Sequence, residues 1–477
     1  MKKLLPLLIA ALLLPTVLLP LRAQTNPLAE LIERDFSGRA DSLDYVLTSQ
    51  FLNTSKGTFY AIPRSYSNSS SESKYIYWQQ AHALDVIIYA YERLKDSDDS
   101  RVGSYTTIMQ RWYRNHANNW YHKSGDATGF YNEYTDDMCW ICLTLLHISE
   151  ALDDNTYADM ARTVFDEYIL PRGSRDDDGF FSLPWKDDGS GPNACTNAPG
   201  CLVAAKLYER YGDESYLQVA KDLYDYQANV MRKKLSNDGR VEEPPLTYTQ
   251  GTFGEAARRL FHITGDRTYM GMATKVLNYA ITSSRCTHNG LFRDEGSSMD
   301  QSIFKAVLIP YLVNYVLDED ATASYRKRMI TFLQKNANTL WDNLKNDKYP
   351  KMYCNYYWGE PIDDTNVPSM GAMVSGASLM ENVARMANAL KATSDEDGIR
   401  SLTPNPGLTP NPIPEQSSPT RSLSPVGEGN WYDLSGRRIV DSSIINHPLG
   451  PSGRFTLEES SIKRGIYIYN GKIIIMK

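Results

Sequence analysis

The fold is decided by the stretch Gly212-Asp-Glu-Ser-Tyr216-Leu-Gln-Val-Ala220, because a similar stretch follows at Gly265-Asp-Arg-Thr-Tyr269-Met-Gly-Met-Ala273. Both have the pattern Gly-Asp-x-x-Tyr-x-x-x-Ala, and a weaker copy runs from Asp153 to Ala161. In each copy an apolar helical segment ends at a glycine or aspartate that turns the chain. A second helix then begins, with Tyr and Ala four residues apart on one face. The repeat therefore predicts helical hairpins.

Apolar helical periodicity returns at intervals of roughly 50–70 residues, as in helical repeat proteins. Six hairpins can form an open solenoid or a closed ring. Closure brings the Gly-rich and aromatic connections before the inner helices together on one face, so we predict a closed all-α (α/α)6 toroid. The first helix of each hairpin is predicted to begin at Trp78, Asp136, Cys195, Tyr248, Asp300 and Ser369.

The composition excludes some classes of partner. The chain has 50 Lys and Arg against 57 Asp and Glu, a formal charge of −7. This balance leaves no basic excess that would attract nucleic acid or an anionic membrane surface, so we expect no nucleic acid partner. The 32 Tyr, 8 Trp and 13 Phe suit packed helices and also clefts in which rings stack on sugars.

The first residues predict export. Two lysines precede an apolar run from Leu4 to Leu21, and Ala23 is followed by polar residues. This order is typical of a signal peptide, here residues 1–23. A retained membrane anchor is the alternative, which three prolines in the run and the lack of a second apolar span disfavour. We expect an extracellular or cell-surface location, with the periplasm as the alternative.

Six cysteines in an exported chain raise the question of disulfides. We expect mostly buried thiols, because a chain of this length buries a sufficient core without cross-links. One bridge, between Cys195 and Cys201, is left open. Cys139 and Cys142 lack a second ligand pair at matching spacing, and the acidic run at 176–178 lacks the later glutamate of a calcium loop. No metal and no cofactor are therefore expected.

The chain changes character near residue 394. Seven prolines lie between Ser401 and Pro425, which predicts an extended spacer. We place a helical domain at 24–393, a Pro-rich linker at 394–426 and a small β module at 427–477. In this module, alternating residues at 465–469 and an Ile run at 473–475 flank Asn470-Gly471, which is typical of a hairpin.

Two adjacent carboxylates, Asp136 and Asp137, stand at the start of an otherwise apolar inner helix. Aspartate there commonly caps the helix, because unpaired amides and the helix dipole favour negative charge. The second interpretation is cleavage of a glycosidic bond by one ionised and one protonated carboxyl. A retaining enzyme needs the carboxyls roughly 5–5.5 Å apart, which neighbouring side chains can reach. The pattern alone leaves both interpretations open.

Further polar and aromatic residues at the helix starts and in the connections are predicted to surround this pair. For each of them a structural role is the alternative, since turn residues and aromatics are common at helix starts. For His82 that alternative is a core histidine. The predicted substrate-binding residues are Trp78, Gln80, His82, Asp85, Trp185, Asn193, Asn197, Tyr248, Gln250, Asp300, Lys305 and Trp358.

Together these segments resemble glycoside hydrolase family 76, the bacterial endo-α-1,6-mannanases and their fungal cell-wall relatives. The sequence departs from the family pattern at Thr249, where Asn is expected, and at Ala306, where Gly is expected. These departures put subsite and chain-length preference in doubt. The matching motifs are Trp78-x-Gln80-Ala-His82-x-x-Asp85, Tyr134-Thr-Asp136-Asp137-x-x-Trp140, Asn193-Ala-x-Thr-Asn197-Ala, Tyr248-Thr-Gln250-Gly251 and Asp300-x-x-x-Phe304-Lys305.

The resemblance implies a toroid that hydrolyses α-1,6-linked mannan backbones with retention, acting within the chain. It implies Asp136 as nucleophile and Asp137 as general acid/base, with yeast-type α-mannan as the partner of a monomer. The alternatives are a mannosyl transglycosidase and a catalytically silent surface glycan-binding protein, which would not need both carboxylates. An unrelated toroid lyase is disfavoured, because mannan has no uronic acid to eliminate.

The last residues carry a separate resemblance. Trp431-Tyr-Asp-Leu-Ser-Gly436 and Gly465-Ile-Tyr-Ile-Tyr-Asn470 are similar to the C-terminal sorting domains of Bacteroidetes type IX secretion cargo. This resemblance implies an outer-membrane secretion machinery as a partner, followed by release or surface attachment. The alternative is a β accessory module without a sorting function.

Overall fold

The structure is a computed structural model that describes residues 27–66, 77–117, 129–235, 237–344 and 351–394, and three later strands. The predicted signal peptide and the prolines of the predicted linker lie outside these residues. The chain separates into two compact units, Met1–Asn405 and Pro406–Lys477. The helices are α1 Pro27–Glu33, α2 Phe36–Gln50, α3 Tyr77–Leu94, α4 Arg101–Ala117, α5 Thr135–Leu152, α6 Asn155–Val164, α7 Ala194–Tyr211, α8 Glu214–Asp225, α9 Thr247–Thr264, α10 Arg267–Thr282, α11 Phe304–Leu317, α12 Ala323–Asn343 and α13 Met370–Ser394.

Six largely buried helices form an inner ring in the first unit. In chain order α3, α5, α7, α9, α11 and α13 each pack against the next, and α13 packs back against α3. This last contact closes the ring, so the predicted (α/α)6 toroid is confirmed. Apolar side chains fill the space between the rings, since the inner helices are apolar almost all round.

The outer ring is formed by the even-numbered helices. From α4 to α12, each packs on the inner helix that precedes it. The sixth inner helix, α13, packs instead against α2, which lies at the opposite end of the domain sequence. The hairpin predicted to begin at Ser369 is therefore not continuous in sequence. Its outer helix comes from the N-terminal side of the domain.

The repeated Gly-Asp pair separates an inner helix from its outer partner. Gly212 and Gly265 end α7 and α9 in the left-handed conformation, with φ of 68° and 74°, which glycine adopts without a Cβ clash. The aspartate that follows each glycine accepts a hydrogen bond from the first turn of the outer helix. Five of the six predicted inner-helix starts differ from the observed starts by one residue, and α11 begins four residues later than predicted.

Short strands and tight helical turns occupy the connections. In the second unit β7, β8 and β9 form one antiparallel sheet, in which β8 and β9 are the predicted hairpin strands. None of the described helices is both long and apolar enough to cross a membrane. The strands are β1 Leu52–Asn53, β2 Thr58–Phe59, β3 Ser174–Arg175, β4 Phe181–Ser182, β5 Thr287–His288, β6 Leu291–Phe292, β7 Trp431–Asp433, β8 Gly465–Tyr469 and β9 Lys472–Met476. The tight turns include π-helical Phe165–Ile169 and Tyr226–Met231, and 3₁₀-helical Arg64–Tyr66, Leu170–Arg172, Arg232–Lys234 and Gln301–Ile303.

The six cysteines are all free thiols. Cys195 and Cys201 both lie on α7, and a separation of six residues places them on different faces of the helix. The Cys201 thiol is buried and donates to the Ala220 carbonyl at 3.2 Å. The disulfide left open between these two residues therefore does not form.

Candidate active site

The two adjacent aspartates lie in the first turn of α5. Its N-cap is Tyr134, which has an extended backbone and makes no side-chain capping bond. Helix capping at the N-cap position therefore does not account for Asp136 or Asp137. The preceding loop is held in place, because Arg172 donates to the carbonyls of Asn132 and Glu133 at 2.9 and 3.0 Å.

The Asp136 carboxylate is half-buried and is held by two donors. Its Oδ2 accepts from the Trp185 indole Nε1 and from the Cys195 thiol, each at 3.2 Å. Burial raises the pKa of Asp136 above its ordinary range, and these hydrogen bonds oppose that rise. Asp136 therefore needs a higher pH than an exposed aspartate to ionise.

The ionised form of Asp137 accepts fewer side-chain hydrogen bonds than that of Asp136. Its Oδ2 accepts from the Asn132 amide at 3.2 Å. Burial and the charges of Asp136 and Asp300 raise the pKa of Asp137 well above its ordinary range. In the described parts of the chain no cation pairs with either carboxylate, and the adjacent Lys186 pairs with Glu133 at 3.2 Å. Two carboxyls that interact in this way share one proton.

Aromatic rings form the floor and rim of the cleft around the pair. Tyr248 and Phe304 stack with ring centroids 4.1 Å apart, and the Trp78 ring lies 6.2 Å from that of Trp140. Trp185 stands at the rim and is 40% exposed. The cleft has a volume of about 510 Å³. Of these rings, the two that are not buried, Trp185 and Tyr248, suit the apolar face of a sugar, and the carboxylates beside them suit its hydroxyls.

Asp300 supplies a third carboxylate to the cleft, opposite α5. Its Oδ1 accepts from the Trp78 indole at 2.8 Å and also from the Gln79 amide. Asp300 is exposed and stands before the short 3₁₀ turn that leads into α11. Its carboxylate thus holds the Trp78 ring and the Gln79 amide in place.

The structure brings together seven of the predicted site residues. Asn193 is both a cleft residue and the N-cap of α7, since its side chain accepts from the Thr196 amide at 3.0 Å. No group of three His, Cys, Asp or Glu side chains in the described residues could hold a metal ion. The predicted residues that line the cleft are Trp78, Asp136, Asp137, Trp185, Asn193, Tyr248 and Asp300.

Three predicted amide residues do not reach the cleft, which corrects their assignment to substrate binding. Gln80 exchanges two 2.8 Å hydrogen bonds with the backbone of Phe59. Asn197 bonds both the amide and the carbonyl of Leu183, at 2.9 and 3.0 Å. Gln250 accepts from the Val241 amide and donates to two carbonyls. Each buried side chain thus satisfies backbone groups of a connecting segment and holds that segment against the toroid.

Lys305 and Trp358 also lie in the core. The Trp358 indole is 0% exposed and so presents no face to a sugar. The Lys305 ammonium stands 4.6 Å from the centre of that ring and donates to the Tyr356 carbonyl. The two residues attach the loop before α13 to the first turn of α11.

His82 and Asp85 lie behind the aromatic floor. The His82 ring packs 5.4 and 5.3 Å from the rings of Trp78 and Trp140, and its Nδ1 is 3.3 Å from Asp85. Asp85 also bonds His147, at 3.0 Å. His82 is thus the core histidine of the alternative interpretation. With Asp85 it borders a separate space of about 150 Å³, the inner cavity, which Glu92, His147, Glu150, Lys206, Arg259 and Arg385 also line.

Four cleft residues were not among the predicted site residues. Trp140 follows Asp136 by four residues, a spacing that places both on one helix face, so its position could have been found from the sequence. Tyr134 and Phe304 are present in the quoted motifs. Cys195 carried no signal, because only the fold brings its thiol to Asp136.

Two adjacent carboxylates in an aromatic cleft of a closed helical toroid fit a glycoside hydrolase, in which one carboxyl acts as acid and the other as nucleophile or base. The chain belongs to glycosyl hydrolase family 76, whose family model matches residues 41–395. Among curated proteins no match is found.

Solved structures share the fold. An inactive variant of the α-1,6-mannanase of Salegentibacter sp., with two consecutive aspartates replaced by alanine and α-1,6-mannotetrose bound, is 24% identical, with a TM-score of 0.63. The match covers 74% of this chain and 100% of that one. A family 76 mannosidase of Bacteroides thetaiotaomicron is 16% identical over 76% of this chain and 100% of its own, with a TM-score of 0.57.

Proposed function

We propose that the protein is a retaining endo-α-1,6-mannanase that cleaves the backbone of yeast-type mannan. The observation that carries this proposal is the Asp136–Asp137 pair, half-buried in an aromatic cleft and without a cationic partner among the described residues. Unpaired buried carboxyls cost stability, and a hydrolase uses them as an acid and a nucleophile.

The hydrogen bonds and neighbouring charges of the two carboxyls support a division of roles. Asp136 has two hydrogen-bond donors that support its negative form, so it is the carboxylate that attacks the anomeric carbon. Asp137 is kept protonated by burial and by the charges of Asp136 and Asp300, and it protonates the leaving oxygen. The products are a mannosyl ester on Asp136 and a shortened chain.

The second half of the reaction returns the enzyme to its first state. Asp137, now ionised, accepts a proton from water while the water oxygen attacks the anomeric carbon of the ester. Asp136 leaves as a carboxylate, and the configuration of the sugar is retained after two inversions. General acid–base transfer of this kind contributes about 10²–10⁴-fold in rate.

The relatives support the choice of substrate. The Salegentibacter α-1,6-mannanase loses activity in a variant with two consecutive aspartates replaced, and that variant binds α-1,6-mannotetrose. The present chain has consecutive aspartates at the start of an inner helix and an aromatic cleft of about 510 Å³ beside them. The α-1,6-mannanase relative with bound mannotetrose supports endo action on the same class of chain.

Product analysis tests the proposal. Linear α-1,6-mannan should yield a ladder of oligosaccharides whose new reducing ends are α-anomers when first observed by NMR. Asp136→Asn and Asp137→Asn should each lower kcat by roughly 10²–10⁴-fold. Asp225→Asn, an aspartate on α8 outside the cleft, is the control. β-Anomers as first products would refute retention, and mannan binding without any hydrolysis would make the protein a binding protein.

An activated substrate separates the two carboxyls. An aryl α-mannoside with an acidic phenol needs little protonation, so Asp137→Ala should recover much of its first-step rate on it. Asp136→Ala should not recover, because no nucleophile is left. Recovery in the opposite variant would exchange the two roles.

We also propose that residues 1–23 direct export and that residues 427–477 direct passage across an outer membrane. The basis is the sequence alone, with the β-hairpin of the second unit as its structural counterpart. In a host with type IX secretion, the variant without residues 427–477 should be retained in the periplasm in active form. Unchanged extracellular activity would show an accessory module instead.

A further inference from the structure

One thiol lies inside the cleft. Cys195 is in the first turn of α7 and is partly exposed, whereas the other five cysteines are buried. Its Sγ is 3.2 Å from Asp136 Oδ2. The thiol therefore contacts the carboxylate to which we assign the nucleophilic attack, and the hydrolysis described above leaves it without a role.

The thiol is part of a chain of side chains from three neighbouring inner helices. Tyr248 on α9 lines the cleft together with Cys195 on α7, whose thiol bonds Asp136 on α5. The first turn of α7 is held by its Asn193 cap, so the thiol position is set by the backbone. A thiol is a weak donor, and its hydrogen bond to a carboxylate is strengthened by the negative charge.

The surroundings of Asp136 make such a donor important. The two nearby cations have other partners, since Arg172 donates to Thr135 and the loop carbonyls before it and Lys186 pairs with Glu133. The negative charge of Asp136 therefore depends on hydrogen bonds from Trp185 and Cys195 and on backbone amides. Other titratable side chains around Asp136, from α5, α7, α9 and the connections before α5, α9 and α11, are Asp137, Cys195, Tyr248, Glu133, Glu242 and Asp300.

We infer that Cys195 is a positioning residue for the nucleophile, whose thiol donates to Asp136 Oδ2 and holds the carboxylate in its attacking orientation. The inference rests on the proposed role of Asp136. Burial and the Asp136 charge raise the pKa of Cys195 well above the ordinary thiol value, so the group remains a protonated donor. Cys195 thus supports the ionised state of the nucleophile.

Two substitutions test the role in catalysis. Cys195→Ala removes the donor, so the acidic limb of the kcat/KM profile should move up by about half to one pH unit. Below that limb the rate should fall roughly 3–10-fold. Cys195→Ser restores a donor and should return the limb to its parent position. Cys201→Ala, on the buried face of the same helix, should leave the limb unmoved; an unmoved limb in Cys195→Ala overturns the inference.

Alkylation tests the contact without any need for activity. Iodoacetamide should label folded parent protein slowly and at Cys195 alone, with Cys195→Ala as the background control. Asp136→Asn removes the neighbouring charge, which lowers the thiol pKa and should speed labelling severalfold at pH 8. Equal labelling rates would overturn the contact. Faster labelling in an Asp136→Asn protein that stays fully active would support the contact and refute the proposed nucleophile instead.

Discussion

Carboxylates of the inner ring line both the cleft and the inner cavity, but the shifts in their pKa values have opposite directions. In the inner cavity, burial would raise the pKa of Asp85, but hydrogen bonds from His147 and His82 lower it below the ordinary range. In the cleft, Asp136 and Asp137 receive neutral donors, and burial raises both pKa values. The difference lies in the charge of the partner. Paired carboxylates stabilise the ring, and unpaired ones remain ready for proton transfer.

Other carboxylates near the inner cavity are also paired with cations. Partial desolvation would raise the pKa of the Glu150 carboxyl, but the buried Lys206 ammonium stands 2.7 Å away and lowers it. Arg259 pairs with Glu255 at 3.0 Å. The Lys206–Glu150 pair joins the neighbouring inner helices α7 and α5, whereas Arg259 and Glu255 both lie on α9. Each pair contains a buried charge, Lys206 or Glu255, whose compensation is lost when its partner is removed. The charged pairs around the inner cavity therefore contribute to the stability of the toroid.

The largest stability effect should come from breaking the pairing in the inner cavity. Asp85→Asn leaves His147 and His82 without their carboxylate, which should lower the free energy of unfolding by about 3 kcal/mol. Chemical denaturation at pH 7 measures this loss. A loss within about 1 kcal/mol, the range of a surface ion pair, would show that the pairing does not hold the ring.

A pH change should weaken the same pairing more gently. Burial would lower the pKa of His147, but the Glu92 charge and the bond to Asp85 raise it to about 9. Because the folded pKa lies above the unfolded value of about 6.5, this stabilisation is complete below pH 6.5 and disappears as the pH rises through 9. Unfolding free energy should fall by about 2 kcal/mol between pH 6.5 and 9.5. His147→Gln should be less stable at pH 6.5 and should not show this fall.

The smallest expected effect has the opposite sign and lies in the cleft. A carboxyl with a raised pKa destabilises the fold once it ionises, so Asp136→Asn should raise the unfolding free energy at pH 7.5 by about 1 kcal/mol. The gain should vanish near pH 4, where both forms are neutral. Thermal denaturation at the two pH values measures it. A destabilised variant at pH 7.5 would mean that Asp136 is a structural carboxylate like Asp85.

The sequence predicted the ring of helices well because its signals are local. The Gly-Asp pairs end one helix and cap the next, and a few residues suffice to show both. The outer partner of α13 could not be found in this way. Ring closure pairs residues from opposite ends of the domain, and α2 carries no copy of the repeat.

The site was harder to predict than the ring, because neighbouring residues on a helix point to different sides. Trp78 and Gln79 reach Asp300 in the cleft, whereas Gln80 turns to the backbone of Phe59. Trp185 and Trp358 are similar as loop tryptophans, yet one is 40% exposed and the other 0%. These differences depend on packing between distant segments, which no short motif records.

Trapping the covalent intermediate tests the central claim that Asp136, which has no cationic partner among the described residues, is the nucleophile. A 2-deoxy-2-fluoro-α-mannosyl substrate with a good leaving group slows breakdown of the ester, and digestion with mass spectrometry then locates it. We predict a mannosyl ester on Asp136 in the parent and none in Asp136→Asn. An ester on Asp137 would exchange the two roles. Turnover without any ester, with inverted products, would contradict the retaining mechanism.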